Sequence, residues 1–132
     1  MIISIGTDII EVERIKTALG RTPRFRERVF TEAERAYCES RGESVRAQHY
    51  AARFAAKEAA FKALGTGWRD GLAWHDAEVT RDVRGAPSII FHNLAQEIFN
   101  RSGATHAHLS LSHTATYAIA YLILEAKSKG EG

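Results

Sequence analysis

Five isoleucines, Ile2, Ile3, Ile5, Ile9 and Ile10, fall within the first ten positions. β-branched residues pack well on a pleated surface, so this run predicts a strand, with Gly6-Thr7-Asp8 as the turn that ends it. Asp8 and Glu11 have the spacing of a capping box. Val12, Ile15 and Leu19 then recur at helical spacing until Gly20 and Pro23 stop the helix. Thr31 and Glu34 repeat the cap signature and predict a second helix through Cys38 to Gly42. Positions 45–64 hold no Gly or Pro and are rich in Ala, Lys, Glu and Arg, which predicts the longest helix. Gly65 and Gly67 are available for its left-handed cap, with a loop from Trp68 to Gly71.

Three strand-like runs follow, at 74–81, 88–91 and 106–112, with a short helix from about 93 to 101 between the last two. Ser112-His113-Thr114-Ala115 has the composition of a hairpin loop, and TYAIAYLILEA reads as a final strand. That strand is apolar on both faces: Tyr117, Ile119, Tyr121 and Ile123 alternate with Ala118, Ala120, Leu122 and Leu124. The long helix can cover one face and a neighbouring subunit the other. The 132 residues suit one domain, 1–132, with a polar, flexible tail from about position 125.

Composition narrows the setting. No apolar run approaches the roughly 18 residues of a membrane span, and MIISIGTDIIEVER lacks the basic and small-residue features of a secretory leader, so a cytoplasmic protein is expected. Cys38, the one cysteine, can form no internal disulfide and is expected to be at least half-buried. The net charge of +2 says little, but its distribution says more. Arg14, Lys16, Arg21, Arg24, Arg26 and Arg28 are opposed between positions 14 and 28 only by Glu27, a patch suited to an acidic or phosphate-rich partner. Phe25 is the segment's single aromatic and no RNA-binding signature follows, which argues against nucleic acid. His106 and His108 share a strand face, but no third ligand is spaced to complete a zinc site.

Two acids stand out. In RFAAKEAAFKALGTG, positions 53–67, Glu58 falls on a helical face with Phe54, Ala55, Phe61 and Lys62. A carboxylate among apolar neighbours needs a partner. Lys62, one turn on, can serve, and so can a metal ion. Asp8 is either a helix cap or, with Glu58, a hard oxygen ligand for a cation such as Mg²⁺.

GTDIIEVERI at 6–15 and RFAAKEAAFKALGTG at 53–67 resemble the two signature motifs of the bacterial holo-[acyl-carrier-protein] synthases, the short class of 4'-phosphopantetheinyl transferases. The resemblance extends through WHDAEV, GAPSIIF and SLSHT, in order, over nearly the whole chain. It implies an α+β fold with a long helix packed on a small antiparallel sheet, assembled as a homotrimer with active sites between subunits. It further implies Mg²⁺ on Asp8 and Glu58, and Lys62 beside a pyrophosphate. Arg53, Gly65, Thr66 and Gly67 would form part of a coenzyme A cleft, with Ser112, His113 and Thr114 reaching the nucleotide phosphates from the second subunit. The longer transferases carry an acid two positions after the aspartate, where this chain has Ile10, so a water is expected in that place.

The implied reaction transfers 4'-phosphopantetheine from coenzyme A to a serine of apo acyl carrier protein and releases adenosine 3',5'-bisphosphate. Cations neutralise charge in a loose phosphoryl-transfer transition state, and Glu58, directly or through a water, is the candidate acceptor of the serine proton. The acidic carrier would dock on Arg14, Arg21, Arg24 and Arg28, with Phe25 as an apolar anchor. A metal-dependent nucleotide hydrolase would use the same acids without the docking patch.

Overall fold

The isoleucine-rich N-terminus is one uninterrupted strand, β1 (Ile2–Glu11), in the computed structural model, which describes residues 1–65 and 71–128. The predicted turn at Gly6-Thr7-Asp8 is absent because β1 pairs antiparallel with the last strand from Ser4 opposite Leu124 to Glu11 opposite Tyr117. This long ladder overrides the local cap signature. Helix α1 (Val12–Arg21) therefore starts four residues after Asp8, and neither Asp8 nor Glu11 caps it with a side chain. A five-residue helix, α2 (Phe25–Val29), follows within the basic segment and opens on Arg24 in the left-handed region, φ 66°.

Helix α3 (Glu32–Ser40) carries the predicted capping box: Glu34 N–H donates to Thr31 Oγ1 and Thr31 N–H donates to Glu34 Oε1. The longest helix, α4 (Glu43–Leu64), begins two residues before the predicted start and ends on Gly65 at φ 79°. Thr66, Gly67 and Trp68 lie outside the described residues. A 3₁₀ turn (Trp74–Asp76) leads into β2 (Ala77–Arg81), which forms a hairpin with β3 (Pro87–Phe91). Then come α5 (Asn93–Arg101), β4 (His106–His113) and β5 (Tyr117–Glu125). Ser112 and His113 thus belong to a strand, and Glu125, taken as the start of the tail, closes β5.

The three-stranded antiparallel sheet has the order β1-β5-β4. Its inner face, including the fully buried Ala118, Ala120, Leu122 and Leu124, packs on α4. Small residues make this contact close. Ala55, Ala56, Ala59 and Ala60 of α4 are fully buried, and a Cβ built on Gly6 of β1 would lie 1.9 Å from the Ala59 carbonyl oxygen. Ser4 Oγ donates to Ala63 O at 2.6 Å, so β1 is also hydrogen-bonded to the helix backbone. The outer face carries Ile5, Ile9, Tyr117 and Tyr121, each about half exposed. Among the described residues, no helix is long and apolar enough to cross a membrane.

Candidate active site

Close packing of β1 on α4 sets two acids and a lysine around one cavity. Gly6 lies against Ala59 and Ala63, and Asp8, two residues further along the same strand face, points toward α4. The cavity is lined by Asp8, Ile9, Ile10, Arg14, Phe54, Glu58 and Lys62. Lys62 Nζ donates to Thr7 O at 3.0 Å and to Asp8 Oδ1 at 3.1 Å. Glu58 is half-buried at the cavity wall, whereas Phe61, predicted on its face, is fully buried in the core.

Glu58 is not among the charged residues that α4 buries, and Lys57, beside it in sequence, is the most deeply buried of them. Its ammonium group donates to Glu34 Oε1 at 2.8 Å, Ala77 O at 2.6 Å and Trp74 O at 3.1 Å, which uses all three of its donors. Glu34 in turn accepts from Val79 N at 2.7 Å. Burial lowers the Lys57 pKa from its ordinary value, against the opposing pull of Glu34. With Lys57 anchored inward, the next residue, Glu58, is turned by about 100° toward the acid cavity. Sequence reasoning passed over Lys57 because a lysine in an Ala-rich helix reads as solvated, and saw in Glu34 only a cap.

A second cavity opens on another side of α4, lined by Tyr37, His49, Ala52, Arg53, Arg81, Gly85, Pro87, Leu111 and His113. Arg53 and Glu58 are five positions apart, about 140° around the helix axis. Arg53 is only 5% exposed, and its Nε has no hydrogen-bond partner among the described residues. The Arg53 guanidinium lies 4.1 Å from the centre of the Tyr37 ring, and those of Arg41 and Arg81 lie 4.9 Å from it. Among the described residues no carboxylate pairs with these three cations. Burial, reinforced by the positive charge of His113, Arg53, Arg41 and Arg81, holds the His49 pKa down at about 4.

The candidate residues from the sequence thus divide between two places. Asp8, Glu58, Lys62 and Arg14 meet at the acid cavity, while Arg53 and His113 meet at the cationic one. His113 reaches it from the end of β4, its ring 5.0 Å from that of His49 and its Nδ1 2.8 Å from Gln48 Oε1. Ser112 is exposed, and Thr114 Oγ1 accepts from Thr116 N and Tyr117 N in the β4–β5 turn. Gly65 caps α4 beyond Lys62, and Thr66 and Gly67 are outside the described residues.

In the basic segment, Arg24, Glu27 and Arg28 line an open cavity, and Arg21 is exposed. Phe25 is half-buried, stacked on Phe54 with ring centres 6.4 Å apart, and so connects α2 to the wall of the acid cavity. Tyr37, Arg41, His49 and Arg81 were missed because only the folded chain brings α3, α4 and β2 around one ring.

The family model of the 4'-phosphopantetheinyl transferase superfamily matches residues 4–122. The chain belongs to this superfamily and, within it, to the holo-[acyl-carrier-protein] synthases. It is 49% identical over 126 residues to the holo-[acyl-carrier-protein] synthase of Koribacter versatilis, covering 95% of this chain and 99% of that one. A Bacillus anthracis holo-(acyl-carrier-protein) synthase in complex with CoA (3',5'-ADP) superposes with a TM-score of 0.79 at 38% identity, covering 96% of this chain and 99% of the other. A Helicobacter pylori enzyme of the same name, in complex with coenzyme A, has a TM-score of 0.78 at 29% identity, with 92% and 99% coverage.

Proposed function

We propose that the chain transfers 4'-phosphopantetheine from coenzyme A to a serine of apo acyl carrier protein, releasing adenosine 3',5'-bisphosphate. The observation that carries this reading is the convergence of Asp8, Glu58 and Lys62 on one cavity in a member of the synthase family. The donor set there is carboxylate oxygen from two rigid elements, without sulfur or imidazole, which suits Mg²⁺ with waters and substrate phosphates completing its shell. Asp8 and Glu58 would hold the ion. When bound, it supplies charge neutralisation at the pyrophosphate oxygens.

The residues of the chain divide the remaining work. Lys62 neutralises the pyrophosphate from the side of Asp8 and Thr7. Glu58 accepts the proton of the carrier serine as its Oγ bonds to the β-phosphorus. The bond from that phosphorus to the bridging oxygen breaks, and the bisphosphate leaves. The carrier docks on Arg14, Arg21, Arg24 and Arg28, and Phe25 couples that surface to Phe54.

Coenzyme A is anionic at two places, the reacting pyrophosphate and a ribose phosphomonoester. The acid cavity suits the first and the arginine-lined cavity the second. Their volumes, about 260 and 170 Å³, are below the roughly 300 Å³ at which ligand pockets begin, and they open on different sides of α4. One molecule of coenzyme A would therefore bridge the acid cavity of one copy and the cationic cavity of the next. The half-exposed Ile5, Ile9, Tyr117 and Tyr121 give such copies an apolar face to share, in the trimer that the family resemblance implies.

The test is to incubate the chain with coenzyme A, Mg²⁺ and an apo carrier protein and to weigh the carrier. A carrier heavier by one phosphopantetheine is expected. Coenzyme A consumed while the carrier mass stays unchanged would instead indicate a nucleotide hydrolase.

A further inference from the structure

Tyr37 lines the cationic cavity and offers it an aromatic ring. Arg41 at the end of α3, Arg53 in α4 and Arg81 at the end of β2 each bring a guanidinium to within 5 Å of its ring centre. Arg81 is fastened twice, its Nη1 donating to Tyr37 Oη at 2.6 Å and its Nε to Gly85 O at 2.9 Å. Like charges brought this close repel, and no carboxylate among the described residues separates them. The negative face of an aromatic ring attracts guanidinium groups and leaves their outward N–H donors unspent. Arg53 lines the cavity while almost fully buried, and its Nε has no hydrogen-bond partner among the described residues.

We infer that Tyr37 is a positioning residue for the nucleotide: its ring and hydroxyl hold Arg53 and Arg81 of the cavity lining, with Arg41 against the same ring, in a preformed cradle for the phosphomonoester. The inference rests on the reading above that this cavity takes the nucleotide end of coenzyme A. It assigns to Tyr37 no contact with the reacting phosphorus, and it distinguishes a ligand carrying the extra phosphomonoester from one lacking it.

Calorimetric binding of adenosine 3',5'-bisphosphate and of adenosine 5'-monophosphate to the wild-type protein, Tyr37→Phe and Tyr37→Leu tests this. The wild type is expected to prefer the bisphosphate. Tyr37→Leu should lose about tenfold or more of the bisphosphate affinity and less than about threefold of the monophosphate affinity, with the KM for carrier protein unchanged. Tyr37→Phe keeps the ring and should recover most of the loss, while remaining about threefold weaker than wild type because Arg81 loses its acceptor. Unchanged bisphosphate affinity in Tyr37→Leu, or equal losses for both ligands, would overturn the inference. Should Tyr37→Leu not fold, Tyr37→Phe decides alone, and wild-type bisphosphate affinity in that variant would overturn it. A wild-type protein that binds neither nucleotide would overturn the reading of the cavity itself and the inference with it.

Discussion

Lys62 of α4 bonds across to β1, its Nζ 3.1 Å from Asp8 Oδ1 and 3.0 Å from the Thr7 carbonyl oxygen. The lysine side chain is 53% exposed, so the ion pair contributes little to stability, up to about 1 kcal/mol. In the proposed reaction its weight is catalytic. Lys62→Met and Asp8→Asn are each expected to lower kcat with coenzyme A by about 10²-fold or more, the scale of a lost transition-state electrostatic contact. Urea midpoints should stay near the wild-type value. A variant that loses activity and stability together would instead assign the pair to the fold.

Gly6 is the point at which β1 can approach α4 because it has no Cβ. A methyl group there would lie 1.9 Å from Ala59 O and 2.8 Å from Ala63 N, both backbone atoms that cannot move aside without shifting the helix. Gly6→Ala is expected to destabilise by about 3 kcal/mol, the upper part of the usual range for overpacking. It should also separate Asp8 from Glu58 and Lys62. A turnover assay at a temperature where the variant remains folded checks the second point, with a loss of at least about tenfold expected.

Glu34 and Lys57 form a fully buried pair that ties α3 and α4 to the start of β2. Removing one partner leaves an uncompensated charge, at a cost of about 3 to 5 kcal/mol. Lys57→Met and Glu34→Leu should each show that loss in chemical denaturation. The double variant should be less destabilised than the sum of the two, because neither charge is then stranded. Strict additivity would refute the coupling.

Much of this molecule was legible locally. The Thr31 cap, the Gly65 stop, the 93–101 helix and the two-sided final strand all follow from short-range patterns, and each is present in the fold. Errors arose where a distant partner outweighed a local signal. Asp8 and Glu11 imitate a cap, yet β5 keeps both in a ladder. Freed from capping, the Asp8 carboxylate faces the acid cavity. Helix α2 is too short for periodicity to reveal, and its place is set by Val29 and Phe30 in the core and by the Phe25–Phe54 stack. Lys57 and Tyr37 carry no sequence signature because their partners come from three separate elements.

The basic rim leads to a salt-dependent expectation. Arg21, Arg24 and Arg28 are exposed and can meet an acidic carrier only through solvent-screened contacts. Each single Arg→Ala change should raise the KM for carrier protein by up to about fivefold, the equivalent of about 1 kcal/mol. The effect should shrink as ionic strength rises. A carrier KM insensitive to salt in the wild-type enzyme would place docking elsewhere.

His49 gives the fold a pH dependence of definite sign. Its pKa is held at about 4 in the folded chain against an ordinary 6.5, chiefly by burial and then by His113, Arg53, Arg41 and Arg81. Between these two values the unfolded chain binds more protons at this position than the folded one, so acidification favours unfolding and stability rises with pH. Above about 6.5 the histidine is neutral in both states and contributes no slope. Urea denaturation of the wild type from pH 7 to 4 should therefore show a steeper loss of stability than that of His49→Gln. The two curves should run parallel above about pH 6.5, and parallel curves over the whole range would show that folding does not lower the His49 pKa.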